Sequence, residues 1–241
     1  MNDLTLILTV FKRDSCEEQL ERLKFQTLKH DVIIYQNQTH VDISGLRNKY
    51  SFKHIHSLDI NFKFYGRFAL PLLLETKYCC ILDDDLLPNP EWLMATKLAC
   101  QKFNSIIGSN GRILLNHSLE NQMCIDLPQK SVLVDYVGHS WFFKTDWIKN
   151  LWKHSIPTFE NGEDISFCAA NSLSGINSLV ISCENERHIG DSNRFKYGTD
   201  SNSFSQNNPN HNTEREAVVQ FWLNKGWEPL NKRLFKNEDF Q

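Results

Sequence analysis

No apolar run in this 241-residue chain is long enough to cross a bilayer as a helix. The longest are Leu4–Phe11, Phe68–Leu74 and Tyr78–Leu82, against the roughly 18–20 residues that a span requires. The amino terminus, Met1-Asn2-Asp3-Leu4, puts no basic segment ahead of its apolar run. That run therefore reads as a first strand rather than a signal peptide. CxxC pairs are also lacking, and the seven cysteines are odd in number and scattered. Cys79-Cys80 lie inside an apolar run, which suits buried thiols in a reducing, cytoplasmic setting. The pattern argues against a disulfide framework and against a structural zinc site. The sequons at Asn37 and Asn116 carry no weight without a secretory route. Neither sign of charge is in large excess, with 26 basic and 29 acidic residues, whereas a general nucleic-acid binder would show a basic surplus. Aromatic residues make up 12% of the chain, too many for a wholly disordered one.

The length fits one large α/β domain or two small ones. Leu4–Phe11 is a near-continuous apolar, β-branched run, as in a strand buried on both faces of a parallel sheet. Asp14 or Ser15 then caps a helix with Glu17 and Glu18 in its first turn, its apolar spacing running on to Leu28. Asp31–Tyr35 is a second strand, so the chain opens with a βαβ unit, and such sheets bind ligands at their C-terminal strand ends. Further strands are expected at Phe52–Leu58, Tyr78–Leu82, Ser105–Ser109, Ser131–Val137, Trp141–Phe143 and Ser178–Cys183. Helices are expected at Phe64–Thr76 (with Pro71 awkwardly inside), Glu91–Phe103, Asp146–Trp152, Ile165–Ser172 and Thr213–Lys225. Asp200–Asn212 is polar and Asn/Ser-rich and reads as a mobile loop or lid.

Asp83-Asp84-Asp85 follows the strongest of these strands directly. In an extended segment Asp83 and Asp85 point to one side and Asp84 to the other. Carboxylates at a strand end suit a hard divalent cation such as Mg2+ or Mn2+, which takes one or two protein oxygens and completes its shell with water and phosphate. A solvated acidic turn capping the next helix is the plainer alternative.

This triplet resembles the DXD motif of GT-A glycosyltransferases, and the resemblance extends along residues 4–190. Leu6–Arg13 looks like their first strand and nucleotide-binding turn, and Phe25-Gln-Thr27 like the segment that closes their first helix. Asn61–Phe68 followed by Ile81–Asp85 is similar to the exostosin-like (family 64-type) enzymes. Val137–Phe143 looks like their acceptor-side glycine segment, and Asn161–Ile165 like the Glu-Asp-Ile segment near the reacting carbon. The resemblance implies a GT-A, Rossmann-like α/β domain over 1–241, with a mixed, mainly parallel sheet flanked by helices. Residues up to about 100 would bind the nucleotide-sugar, and about 101–241 the acceptor, with a mobile loop near 191–212.

The implied activity is metal-dependent transfer of a sugar from a nucleotide-diphosphate-sugar, a UDP-sugar by family likeness, to a hydroxyl of a glycan or other acceptor. The metal, Mn2+ or Mg2+, falls to Asp85, with Asp83 and His188. Donor contacts fall to Thr9, Phe11, Arg13, Asn37, Arg67, Asp83 and Asp84. Asp164 with Glu163 would act as general base or orient the acceptor, although adjacent acids at a helix start are also favourable in themselves. A base would give inversion. The exostosin-like enzymes retain configuration, and there the same carboxylate would position substrates. Asp191 is a weaker metal candidate. Lys196, His211 and Arg215 could close over the diphosphate, and Trp141, Phe142 and Trp147 are candidates for a sugar platform or for core.

Three other readings stay open. One is a sugar-nucleotide-binding module without chemistry. Another is a phosphohydrolase of the haloacid-dehalogenase type, whose DxD strand normally lies nearer the amino terminus. The third is a nucleotidyltransferase, which would carry a glycine-rich loop where Phe11-Lys-Arg-Asp14 stands. No nucleic-acid partner and no membrane span are expected.

Overall fold

The apolar run after Asp3 forms a seven-residue strand in which Thr9 alone is not fully buried. It is the first of the strands in a computed structural model that describes residues 2–191 and 200–231. In chain order these are β1 (Leu4–Val10), β2 (Asp31–Asn37), β3 (Lys53–Ser57), β4 (Tyr78–Leu82), β5 (Ile106–Gly108), β6 (Asn110–Leu114), β7 (Gln122–Asp126), β8 (Val132–Val134), β9 (Tyr136–Gly138), β10 (Ser140–Lys144) and β11 (Ser178–Val180). The α-helices are α1 (Cys16–Lys24), α2 (Tyr65–Ala69), α3 (Trp92–Phe103), α4 (Ile148–Trp152), α5 (Glu163–Leu173), α6 (Phe204–Asn207) and α7 (His211–Asn224). None is long and apolar enough to cross a membrane, among the described residues.

Eight strands make one sheet in the order β3-β2-β1-β4-β10-β5-β11-β8. β3, β2, β1 and β4 are mutually parallel, as are β5 and β11, while β10 and β8 run against their neighbours. The expected mixed, mainly parallel sheet flanked by helices is thus what the chain adopts. Alternation along β1 explains the layering. Leu4, Leu6 and Leu8 join Leu20, Leu23, Trp92 and Cys100 on the face covered by α1 and α3. Ile7 joins Phe68, Phe143, Phe167 and Trp222 on the other, covered by α2, α5 and α7. With both faces buried, the central strands have no need of polar alternation. A second, antiparallel sheet, β7-β6-β9, stands beside the first.

Several expected elements differ in detail. The helix anticipated over 64–76 is only α2, followed by a 3-10 turn at Leu70–Leu73 with Pro71 in its first positions; Leu74 is already extended. Proline starts helical turns readily but cannot sit inside them. The first helix stops at Lys24 rather than Leu28. The strand expected over 131–137 is two strands on different sheets, β8 and β9, parted at Asp135. Its carboxylate accepts the Leu114 and Leu230 backbone N–H groups at 2.7 and 2.6 Å. The polar stretch 200–212 contains α6 and the first two residues of α7.

Candidate functional site

β1 connects to β2 on one side and lies against β4 on the other, so the strand order reverses between β1 and β4. Open α/β sheets bind ligands in the crevice at such a switch point, outside the C-terminal strand ends. A cavity of about 800 Å³ opens there, lined by Thr9–Arg13 at the end of β1, Asn37 at the end of β2 and Asp83–Asp85 after β4. Its far side is built from α2, the start of α5, the small sheet and residues 201–215.

The triplet does not continue the strand. Leu86 N–H donates back to the Asp83 carbonyl at 3.3 Å, so the chain turns immediately after Leu82 and the two-sided parity of an extended segment does not apply. Asp83 pairs with Arg67, whereas Asp84 and Asp85 both face Arg13, whose Nη1 lies 2.5 Å from Asp84 Oδ1 and 3.7 Å from Asp85 Oδ2. Asp85 Oδ1 is buried without a hydrogen-bond partner, and the His139 ring stands 3.8 Å from it. Burial pushes the Asp83 carboxyl well above the ordinary range against the pull of Arg67. Burial also raises Asp84, opposed by Arg13.

The turn is held from below by α1. Gln19, fully buried, donates its amide to the carbonyls of Asp83 and Leu86 at 2.7 and 3.0 Å, and Ser15 Oγ donates to the Asp84 carbonyl at 2.5 Å. Gln26 reaches the next loop, donating to the Asn89 carbonyl at 2.6 Å and accepting the Leu93 N–H at 3.1 Å, which caps the start of α3. That is the structural role of the Phe25-Gln-Thr27 segment.

Glu163 and Asp164 open α5, where Gly162 enters the helix with φ 77°. A Cβ there would stand 2.9 Å from a Val218 methyl. Arg67, buried, lies over the Trp141 ring at 4.8 Å and donates to Glu163 Oε1 at 2.8 Å while pairing with Asp83. One guanidinium therefore ties the triplet to the acidic pair. Arg215 grips Asp164 bidentately at 2.9 and 2.7 Å. Burial opposes the Asp164 charge, but Arg215 overrides it and holds this carboxyl below the usual range. Glu163 behaves oppositely. Burial, then repulsion from Asp164, raises it in spite of Arg67, and its Oε2 is buried without a partner.

Of the residues singled out in the sequence, Thr9, Phe11, Arg13, Asn37, Arg67, Asp83, Asp84, Asp85, Glu163 and Asp164 all line this one cavity, as do His211 and Arg215. Asn37 is spent on structure, its amide donating to Asn61 at 2.6 Å and its carbonyl oxygen accepting the Phe62 N–H at 3.2 Å. Thr9 Oγ1 donates to the Leu82 carbonyl at 3.2 Å, bridging β1 and β4. His188 is not among the lining residues; its ring lies 3.6 Å from Glu91 and accepts from Asn185 at 3.2 Å. Trp141 lines the cavity, but Phe142 belongs to the core beneath α1 and α3. Lys196 lies outside the described residues. Sequence reasoning passed over Gln19, His139 and Asp200, the last bound bidentately by Arg13 at 2.8 and 3.0 Å. For Gln19 a signal existed: with Cys16, Leu20 and Leu23 it completes a helical buried face on which it alone is strongly polar.

A divalent cation fits what is present. Among the described residues no three His, Cys, Asp or Glu side chains converge as a ready-made metal centre. The unpartnered Asp85 oxygen, with Asp83 and His139 beside it, matches a cation that draws most of its shell from water and phosphate.

The fold defined by this sheet and its switch-point cavity is similar to a glycosyltransferase fold. No protein-family model and no curated protein matches the chain. Among solved structures, one of S. aureus TarS is similar at 16% identity with a TM-score of 0.53, covering 76% of this chain and 35% of that one. A structure of S. aureus TarS 1–349 is similar at 17% identity and a TM-score of 0.55, covering 76% of this chain and 58% of that one. This chain thus spans less than two thirds of the length of either TarS chain, and the likeness is one of fold.

Proposed function

We propose that this chain is a metal-dependent glycosyltransferase that moves a sugar from a nucleotide-diphosphate-sugar to a hydroxyl of a glycan or other acceptor. The observation that carries the reading is the acidic turn at the β1/β4 switch point, with its unpartnered Asp85 oxygen, joined through Arg67 to a second acidic pair across one cavity. The likeness of the sheet to a glycosyltransferase fold agrees with it.

On this proposal residues up to about 100 serve the donor and later ones the acceptor. Asp85 and Asp83 would hold Mn2+ or Mg2+, which as a Lewis acid neutralises charge on the departing diphosphate. Arg13, freed from Asp200, adds a planar guanidinium to the same phosphates. Phe11 and Thr9 border the nucleoside, taken as uridine from the family resemblance. The acceptor oxygen bonds to the anomeric carbon, the carbon–phosphate-oxygen bond breaks, and its electron pair leaves with the nucleoside diphosphate. The acceptor proton passes to the Glu163–Asp164 pair. Glu163 has the free oxygen and the raised proton affinity that general-base work favours, and Arg215 keeps Asp164 ionised beside it. The anomeric configuration of the product, read by NMR, separates a proton-accepting pair (inversion) from one that only positions substrates.

The test is calorimetric titration of UDP, GDP, dTDP and CDP with and without Mn2+. The reading expects tight, Mn2+-dependent binding of one diphosphate. A folded chain that binds none of them would sink it. A sugar-nucleotide-binding module would bind the same diphosphate yet leave its sugar conjugate intact in a turnover assay.

A further inference from the structure

Six cationic side chains line the cavity: Lys12, Arg13, Lys63, Arg67, Arg112 and Arg215. Four are matched by acids that line it too. Arg13 pairs with Asp84, Lys63 with Glu160, Arg67 with Asp83 and Glu163, and Arg215 with Asp164. Lys12 is exposed and lies over the Phe11 ring at the β1 side. Arg112 is the exception. It is half-buried on β6, and its one hydrogen bond among the described residues runs from Nη1 to the neighbouring Gly111 carbonyl at 3.0 Å. No carboxylate of the described residues pairs with it.

Its position is informative. Arg112 stands opposite Tyr136 in the β6–β9 register, and the other face of the neighbourhood is set by Arg215, whose guanidinium lies 5.5 Å from the Tyr136 ring centroid. Arg112 therefore belongs to the small sheet, on the side of the cavity where Arg215 holds Asp164, and not to the C-terminal ends of β1 and β4. Beside it Gln122 accepts from the Tyr136 hydroxyl at 2.8 Å through Oε1, which leaves its amide N–H groups to donate. A guanidinium half removed from water and lacking a counter-ion among the described residues is primed for an anion brought by a ligand, because charge-assisted, two-pronged hydrogen bonds to phosphate or carboxylate are among the strongest a side chain makes.

We propose that Arg112 seats a negatively charged group of the acceptor, a phosphate or a carboxylate, so that the acceptor is an anionic glycan rather than a neutral one. This deepens the glycosyltransferase reading and rests on it. Glu163 and Asp164 on that wall are held by Arg67 and Arg215, which leaves Arg112 as the cation there that no carboxylate of the described residues pairs with.

The test uses the full chain with Mn2+ and saturating UDP. Glucose 6-phosphate, glucuronate and glucose are titrated separately, into the wild type and into Arg112→Met and Arg112→Lys. At least one anionic probe is expected to bind about tenfold or more tighter than glucose, and which of the two wins distinguishes phosphate from carboxylate. Arg112→Met should abolish that preference, Arg112→Lys should keep part of it, and both should bind UDP as the wild type does and melt at its temperature. Equal affinity for glucose and both anions overturns the proposal. So does a preference that survives in Arg112→Met, or a loss of UDP affinity in that variant, which would make Arg112 a donor contact. Failure of UDP and every other diphosphate to bind, with Arg112-dependent anion binding intact, would strike the glycosyltransferase reading and leave the anion seat standing.

Discussion

Asp85 differs from its two neighbours in the oxygen it has to spare. Asp83 and Asp84 each close on an arginine, while Asp85 Oδ1 is buried with no hydrogen-bond partner. A buried carboxylate oxygen left alone costs stability, and a cation would relieve it. Asp85→Asn is accordingly expected to fold with little change in melting temperature while losing both Mn2+-dependent turnover and the rise in melting temperature that Mn2+ brings to the wild type. Thermal scans with and without Mn2+, beside a turnover assay, read this directly. Full metal-dependent activity in Asp85→Asn would remove the triplet from the mechanism. Sequence reading brought these acids to one place, but it missed that the chain turns after Leu82. The parity argument needs an extended backbone, and the Leu86-to-Asp83 hydrogen bond ends the extension.

At the scale of elements, what was legible followed burial. β1, β2, β4, α3 and α5 are apolar enough to declare themselves, and together they put both acidic clusters at one end of the sheet. β6 and β7 did not. On β7, Gln122, Met123, Cys124 and Asp126 are exposed, so no hydrophobic period marks a strand that exists through its pairing with β6. The wall of the cavity that carries Arg112 was therefore invisible in the sequence. Gly162 illustrates a different dependence. α5 aims Glu163 and Asp164 only because its entry residue adopts φ 77° with Val218 close by. Gly162→Ala should cost roughly 1–2 kcal/mol for the left-handed backbone alone, more if Val218 cannot move, and should lower kcat by misaiming the pair. Urea denaturation and steady-state kinetics of the one variant measure both effects.

For the molecule as a whole, the lowered histidines and the raised acids Asp83, Asp84 and Glu163 pull stability in opposite directions with pH. His54, His154 and His211 are each lowered below the ordinary 6.5, in every case chiefly by burial. Above 6.5 folded and unfolded chains alike carry them neutral. As pH falls through that value the unfolded chain takes up protons first, so this contribution to stability is lost on acidification. Asp83, Asp84 and Glu163, raised in the folded state, take up protons in the folded chain first and act the other way. The total slope mixes the two, so the clean readout is a difference. His154, edge-on to Trp222 at 5.1 Å, is shifted by burial and by Lys225 and Lys153, and by no member of either acidic cluster. His154→Gln should lose less stability than the wild type between pH 7 and about 5.5, and parallel denaturation profiles would count against the assignment.

The placing of β10 bears on how such a molecule can be taken apart. β10 runs between β4 and β5, and the residue just before it, His139, lends its carbonyl to the Asp83 N–H at 2.9 Å. The strand that delivers the acidic triplet is thus completed by chain from beyond residue 100. A cut of the chain near residue 100 would expose the edge of the buried strand β4 and unfasten the triplet in the same stroke. On the proposed function, exchange of acceptor preference would then proceed by replacing the small β7-β6-β9 sheet in place, because β10 ties the earlier and later parts of the chain into one sheet.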